Sequence, residues 1–210
     1  MRLADFLGQN RQKHPSYYNK PVPSFGPTRP RLLIVGLAPG LHGANRTGRP
    51  FTGDHAGLIL YRTLYDFGFA STDHSTSADD GLRLIDCRIT NAVRCVPPQN
   101  KPTPLEVGQC NAYLQRELAE LAPGAVVLAL GSVAHTAVVR ASGLRLADFR
   151  FAHGVQHWLT ADTRLIDSYH CSRYNTQTRR LTEDMFRSVF ETICVAIGRS
   201  GTGTSRPRNE

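Results

Sequence analysis

The chain has 210 residues, of which 40% are apolar, with 25 Lys and Arg against 17 Asp and Glu and a formal net charge of +8. That length supports one domain with a substantial core, the apolar share excludes a disordered chain, and no run reaches the ~20 apolar residues of a membrane span. The opening segment MRLADFLGQNRQKHP lacks the apolar stretch of a secretion signal, so a cytoplasmic protein with an anionic partner such as nucleic acid is expected. Five cysteines, an odd number in such a chain, argue against a disulfide framework.

In chain order, RLLIV (31–35) reads as a first buried strand, and AGLILYRTLYDFGF (56–69) as a helix with Leu58, Tyr61, Leu64, Tyr65 and Gly68 on one stripe. CRITNAV (87–93) is a second strand. PLEVGQCNAYLQRELAELA (104–122) is a helix whose start is marked by Thr103, Pro104 and Glu106, a capping box. AVVLALG (125–131) is a third strand, SVAHTAVVRAS (132–142) a helix, RLIDSY (164–169) a fourth strand, and TEDMFRSVFETICVAIG (182–198) a helix with acids in its first turn. Near-continuous apolar strands alternating with helices predict an α/β/α sandwich with a central four-stranded parallel sheet. One domain over 1–198 is expected, with a disordered tail at 199–210.

Ligands of such sheets bind beyond the carboxyl ends of the strands. The unusual loops, GLAPGLHGANRTGRPFTGD, RCVPPQNKPTP and HCSRYNTQTRR, all follow strands and should converge on one rim. GANRTGRPFTGDHAG (43–57) is glycine-rich and basic, yet it lacks the Lys-Ser/Thr ending of a phosphate-binding P-loop and carries a carboxylate, Asp54.

These four ordered segments (GLAPG, GANRTGRPFTGD, RCVPPQNKPTP and SYHCSRYNTQTRRLT) resemble those of the family 5 uracil-DNA glycosylases, close to family 4. The resemblance runs from about PVPSFG (21–26) to the last helix. It implies the fold of that superfamily, extrusion of uracil from double-stranded DNA, hydrolysis of its glycosidic bond as a monofunctional, monomeric enzyme, and in most members a [4Fe–4S] cluster. The absence of an acid between Gly36 and Pro39 points to family 5 and shifts weight onto Asp54.

Such a reaction builds positive charge on the sugar and negative charge on the leaving base. A carboxylate near the sugar orients water and attracts the cation; Asp54 is the candidate, and the same residue also reads as the cap of the helix that follows it. His170, in SYHCSRYN, is the candidate donor to uracil O2, its alternative being a histidine bonded to a strand-end carbonyl. Phe51 resembles the ring that stacks on the flipped base, and a core phenylalanine is the alternative. The backbone of Gly36, Leu37 and Ala38 is expected to approach base and sugar. Asn91 carries a carboxamide that matches the uracil edge and predicts a tight preference for uracil. Arg46 and Arg49 are expected on phosphates, and Arg173, Tyr174, Gln177 and Arg179 in a loop pressed to the minor groove. Ser172 and Asn175 are expected to shape that loop.

Cys95 and Cys110 match two of the four cluster ligands that the resemblance implies. The other pair, a C-x-x-C ahead of a P-R-L-like segment, is absent from a chain beginning MRLADFL. Either the start is assigned too far downstream or the lineage has lost the cluster; the intact pair favours the first. A complete cluster is not expected in the chain as given. Two other functions compete: a lesion- or nucleic-acid-binding protein without catalysis, and a metal-dependent hydrolase built on His42, His55, His153, His157 and His170. Asp54, Phe51, Asn91 and His170 together oppose the first, and the histidine spacings fit no compact ligand motif.

Overall fold

The computed structural model describes residues 2–199. The expected tail at 200–210 lies outside the described residues. Arg199 is no part of a loose tail: its guanidinium donates to the Gly68 carbonyl at 2.6 Å and lies 4.4 Å from the Phe69 ring centroid.

Five strands form one sheet: β1 (Leu32–Gly36), β2 (Cys87–Asn91), β3 (Val126–Leu130), β4 (Gln156–Trp158) and β5 (Arg164–Ser168). Their order is β2-β1-β3-β5-β4. The first four in that order are parallel, in register Leu32↔Cys87, Leu32↔Val126 and Val126↔Arg164. β4 is an antiparallel edge, with His157 opposite Leu165. The expected parallel four-stranded core is present, and the fifth strand is an addition to it.

Alternation along the strands sends side chains to two cores. Leu32, Ile34, Ile89, Val126, Leu128 and Ile166 pack on one face against α3 (His55–Asp66) and α7 (Glu183–Ala196), through Leu60, Tyr61, Leu64, Phe186, Phe190 and Ile193. Leu33, Val35, Val127, Ala129 and Leu165 pack on the other against α4 (Pro104–Ala119) and α5 (Ser132–Ala141), through Val107, Leu114, Ala134 and Val138. Helices on both faces leave the strand ends as the open rim. Among the described residues no helix is long and apolar enough to cross a membrane.

The remaining helices are α1 (Arg2–Lys13), α2 (Ala44–Thr47) and α6 (Arg173–Gln177). α4 begins with the predicted capping box: Thr103 Oγ1 accepts from the Glu106 N–H at 3.3 Å, and Glu106 Oε2 accepts from the Thr103 N–H at 2.7 Å. The predicted stripe of α3 requires correction. Leu58 and Tyr65 are 63% and 41% exposed, and the buried stripe runs instead through Leu60, Tyr61 and Leu64. Placing Tyr61 and Leu64 inward turns Leu58 and Tyr65, three before and four after Tyr61, towards the edge of that stripe and out to solvent.

Candidate active site

A cavity of about 520 Å³ opens at the carboxyl ends of β1, β3 and β5. Leu37, Ala38 and Gly40 line it after β1, Gly131 to Val133 after β3, and Tyr169, His170 and Ser172 after β5. Asp54 and His55 enter from the start of α3, and Phe151, Asn100, Arg173 and Arg180 complete the rim. The predicted convergence of loops is therefore met by Asp54, His170, Leu37 and Ala38. The wall from Gly131 to Val133 was not singled out from sequence, although its place after a strand is the rule that would have found it.

Asp54 is the N-cap of α3, with Oδ1 accepting from the Gly57 N–H at 3.3 Å. Oδ2 turns towards Gly40 and Gly43. A Cβ at Gly43 would stand 2.4 Å from that oxygen, so only glycine leaves the carboxylate its place. Burial pushes the Asp54 pKa up, against the lowering effect of the Gly57 and Ala56 N–H groups and of His55. The carboxylate thus caps the helix, as one of the two sequence readings has it, and lines the cavity.

His170 follows β5, and its backbone carbonyl is held by the Asn175 carboxamide at 2.8 Å. Ser172 caps α6 by accepting from the Asn175 N–H at 3.4 Å, so both residues shape the loop as expected. Burial pushes the His170 pKa down to about 4, leaving a neutral ring at pH 7. Its Nδ1 is buried without a hydrogen-bond partner among the described residues. Such groups are rare in folded proteins, and each calls for a specific role.

Phe51 lies behind this wall rather than on the cavity surface. It is 6% exposed, its φ is +56°, and its ring is stacked at 25° on His170 with centroids 5.9 Å apart. Asn91, 7% exposed at the end of β2, reaches the same place. A Cβ at Gly36 would stand 2.4 Å from Asn91 Oδ1 and 2.6 Å from Phe51 Cζ, so Gly36 admits both to the region behind the lining. The Asn91 carboxamide makes no hydrogen bond among the described residues.

The expected phosphate contacts divide. Arg46 is exposed, as are Arg173, Tyr174, Gln177 and Arg179 on and after α6. Arg180, which also lines the cavity, lies 4.7 Å from the Tyr169 ring centroid. Arg49 is a correction: its side chain is 5% exposed and its Nη1 pairs with Asp80 Oδ1 at 2.6 Å. It also donates to Ser75 Oγ at 2.9 Å and the Ala78 carbonyl at 2.6 Å, and sits over Phe25. Its charge is spent inside the protein, holding the loop at 75–80 to the loop that carries Phe51.

The histidines proposed for a metal do not converge. His42 bonds Tyr17 at 3.0 Å, His55 bonds Thr176 at 3.1 Å, and His153 accepts from the Tyr169 N–H at 3.2 Å. Among the described residues the group with metal-ligand spacing is His135, His157 and Asp167, within 4.8 Å of one another. Both ring nitrogens of His135 are already engaged there, by Asp167 at 2.9 Å and the Phe149 carbonyl at 3.0 Å.

A family model for the uracil DNA glycosylase superfamily matches residues 23–194. The chain belongs to that superfamily. It is 48% identical over 173 residues to a Type-5 uracil-DNA glycosylase of Thermus thermophilus, covering 82% of this chain and 78% of that protein. To a Type-5 uracil-DNA glycosylase of Mycobacterium bovis it is 45% identical over 176 residues, covering 83% of this chain and 66% of the other. A Type-4 uracil-DNA glycosylase of Archaeoglobus fulgidus is more distant, at 32% over 177 residues, 81% of this chain and 80% of that one. The type-5 likeness agrees with the resemblance of the four loop segments.

The cysteines of this superfamily member do not fit a four-thiolate cluster. Cys95 and Cys110 are near neighbours; burial pushes the Cys95 thiol up, and Cys110 adds to the shift. Cys110 packs with Leu3 of α1 against the α4/α5 core. Cys87, Cys171 and Cys194 lie across the sheet in the α3/α7 core, all buried. Cys171 donates to the Ala56 carbonyl at 3.5 Å, and its thiol is pushed up to about 12, chiefly by burial. Among the described residues two thiols share a site where a [4Fe–4S] centre takes four thiolates.

Proposed function

We propose that this chain excises uracil from DNA by hydrolysing the N-glycosidic bond, leaving an abasic sugar for repair. The observation that carries it is a raised-pKa carboxylate, Asp54, and a neutral, unpartnered imidazole, His170, lining one cavity at the strand ends. The Type-5 uracil-DNA glycosylases it is similar to support the choice of base.

The uracil, flipped out of the stack, enters with its sugar towards Asp54 and its base towards His170. Leu37 and Ala38 approach it with little bulk; Phe51 and the free Asn91 carboxamide lie behind this lining, and they stack on the base and pair with its O4 and N3–H once the lining moves aside on binding. As the C1′–N1 bond breaks, its electrons pass to uracil and the sugar becomes cationic. A ring N–H of His170 donates to O2 without giving up its proton. Asp54, as the carboxylate, stabilises the sugar cation, orients a water towards C1′ and takes the proton that the water loses. The DNA is double-stranded, gripped by Arg46 and by Arg173, Tyr174, Gln177 and Arg179, and the protein acts as a monomer. No lysine lines the cavity among the described residues, which supports a hydrolase without the Schiff-base chemistry of a lyase.

The test is incubation with a U:G duplex and chromatography of the released base. Free uracil, with the strand intact until alkali is added, is expected. A folded protein that releases no base from that duplex contradicts the proposal.

A further inference from the structure

Residues 6–53 contain no Asp or Glu, yet they carry Arg11, Lys13, Lys20, Arg29, Arg31, Arg46 and Arg49. Arg31 and Arg49 are paired with Asp86 and Asp80. Lys13, Lys20 and Arg46 are exposed and have no carboxylate partner among the described residues.

Lys13 and Lys20 bracket in sequence a group of rings to which Arg46 is joined through its backbone. His14 stacks on Tyr17 with centroids 4.7 Å apart, and His42 stands edge-on to both at 5.7 and 5.9 Å. Tyr17 Oη and His42 Nδ1 are 3.0 Å apart. Tyr18, 36% exposed, has Lys20 Nζ 5.8 Å from its ring centroid.

The segment is fixed to the site's own loop. The Tyr18 and Asn19 N–H groups donate to the Arg46 and Asn45 carbonyls, each at 3.1 Å. The Asn45 carboxamide donates to Asn19 Oδ1 at 2.9 Å. His42 lies between Gly40 and Gly43, the two glycines packed against the Asp54 carboxylate. Rings interleaved with unpaired cations are the composition that tracks a nucleic-acid strand.

We propose that the segment from Lys13 to Lys20, with His42 and Arg46, is a second DNA contact surface, joined to the Asp54 site through the loop 40–46 rather than through α6. Lys13, Lys20 and Arg46 hold successive phosphates of the strand that carries the flipped nucleotide, and Tyr18 and His42 pack against its sugars. The surface fixes that strand on both sides of the extruded base. It rests on the DNA-glycosylase reading above, which uses Arg46, and extends it to His42 and the segment 13–20, which that reading leaves unused.

The experiment measures binding of the protein to a duplex containing a 2′-fluorinated uridine that resists cleavage, by fluorescence anisotropy from low to high salt. The parent, Lys13→Ala/Lys20→Ala, and a control pair of exposed cations, Arg83→Ala/Arg116→Ala, are compared. Removing the cation from one phosphate lowers the slope of log affinity against log salt by about 0.9, roughly eightfold in affinity per phosphate near 0.1 M. The Lys13/Lys20 pair is expected to lower the slope by about 2 and the control pair to leave it unchanged. Equal slopes for parent and Lys13/Lys20 variant overturn the proposal, and so does an equal reduction in the control pair, which would mean that net charge alone is at work. Uracil release by the parent, measured in parallel, reports on the glycosylase reading separately, so either reading can fail without the other.

Discussion

Replacing Gly43 by alanine adds one carbon, which would stand 2.4 Å from Asp54 Oδ2, 2.8 Å from its Cβ and 2.9 Å from its Cγ. Ordinary contact starts near 3.4 Å, so the carboxylate has to retreat by about 1 Å. It cannot retreat freely, because Oδ1 is tied to the Gly57 N–H at the start of α3. A displacement of about 1 Å at a catalytic group costs on the order of 10²-fold in rate. Loss of the cap costs about 1 kcal/mol, or about 2–4 °C in Tm for a chain of this size. The expected Gly43→Ala protein is folded, melts a few degrees early, and excises uracil about a hundredfold more slowly under single-turnover conditions with enzyme in excess. A folded variant with the parent's rate would refute the reasoning, since the carboxylate would then work from a place it cannot occupy.

Arg49→Ala is expected to destabilise the fold by about 3 kcal/mol, because it leaves Asp80 short of its charge partner, yet to leave the salt dependence of DNA binding unchanged; urea melts and anisotropy titrations check the two halves. The His170 ring, pushed down to about 4, stays neutral across the working range, so it should add no inflection to the single-turnover rate between pH 6 and 8, and an inflection near 6.5 that disappears in His170→Ala would contradict a neutral donor. Burial opposes charge on His135, but the Asp167 hydrogen bond and charge, with the Phe149 carbonyl, outweigh it and raise its pKa. That pair therefore stabilises fully below the unfolded imidazole value of about 6.5, and its contribution is lost as pH rises through the raised folded value. Stability of the parent minus that of His135→Gln, measured by urea melts against pH, should shrink on going alkaline; growth of that difference would reverse the sign.

The four parallel strands were legible because β1 and β3 are continuous apolar runs buried throughout and β2 and β5 are buried but for Arg88 and Arg164, and their ends fall within two residues of the sequence reading. β4 was not, since Gln156–Trp158 is three residues long, half-exposed and polar at its start. α1 escaped for a related reason: of RLADFLGQNRQK only Leu7 and Asn10 are buried, so it has hardly an apolar stripe to read. Asp54 was legible as a cap from its position just ahead of a helix, and as a candidate for the carboxylate near the sugar from the resemblance of its FTGD segment. Arg49 was misread because its partner, Asp80, stands 31 residues away with no local pattern joining them. Depth was also hidden. Sequence assigned Asn91 to a strand end and Phe51 to the loop ahead of α3, but only the packing around Gly36 places them behind the cavity surface rather than on it.

The central claim is that the Asp54 carboxylate drives hydrolysis at a sugar placed in this cavity. Asp54→Asn tests it most directly, since the amide oxygen can still cap α3 while the charge and the base are gone. Single-turnover release of uracil from a labelled U:G duplex, followed by alkaline cleavage, should fall by at least about 10²-fold with Tm held near the parent's. Release at the parent's rate from that variant would contradict the account and move the chemistry away from Asp54.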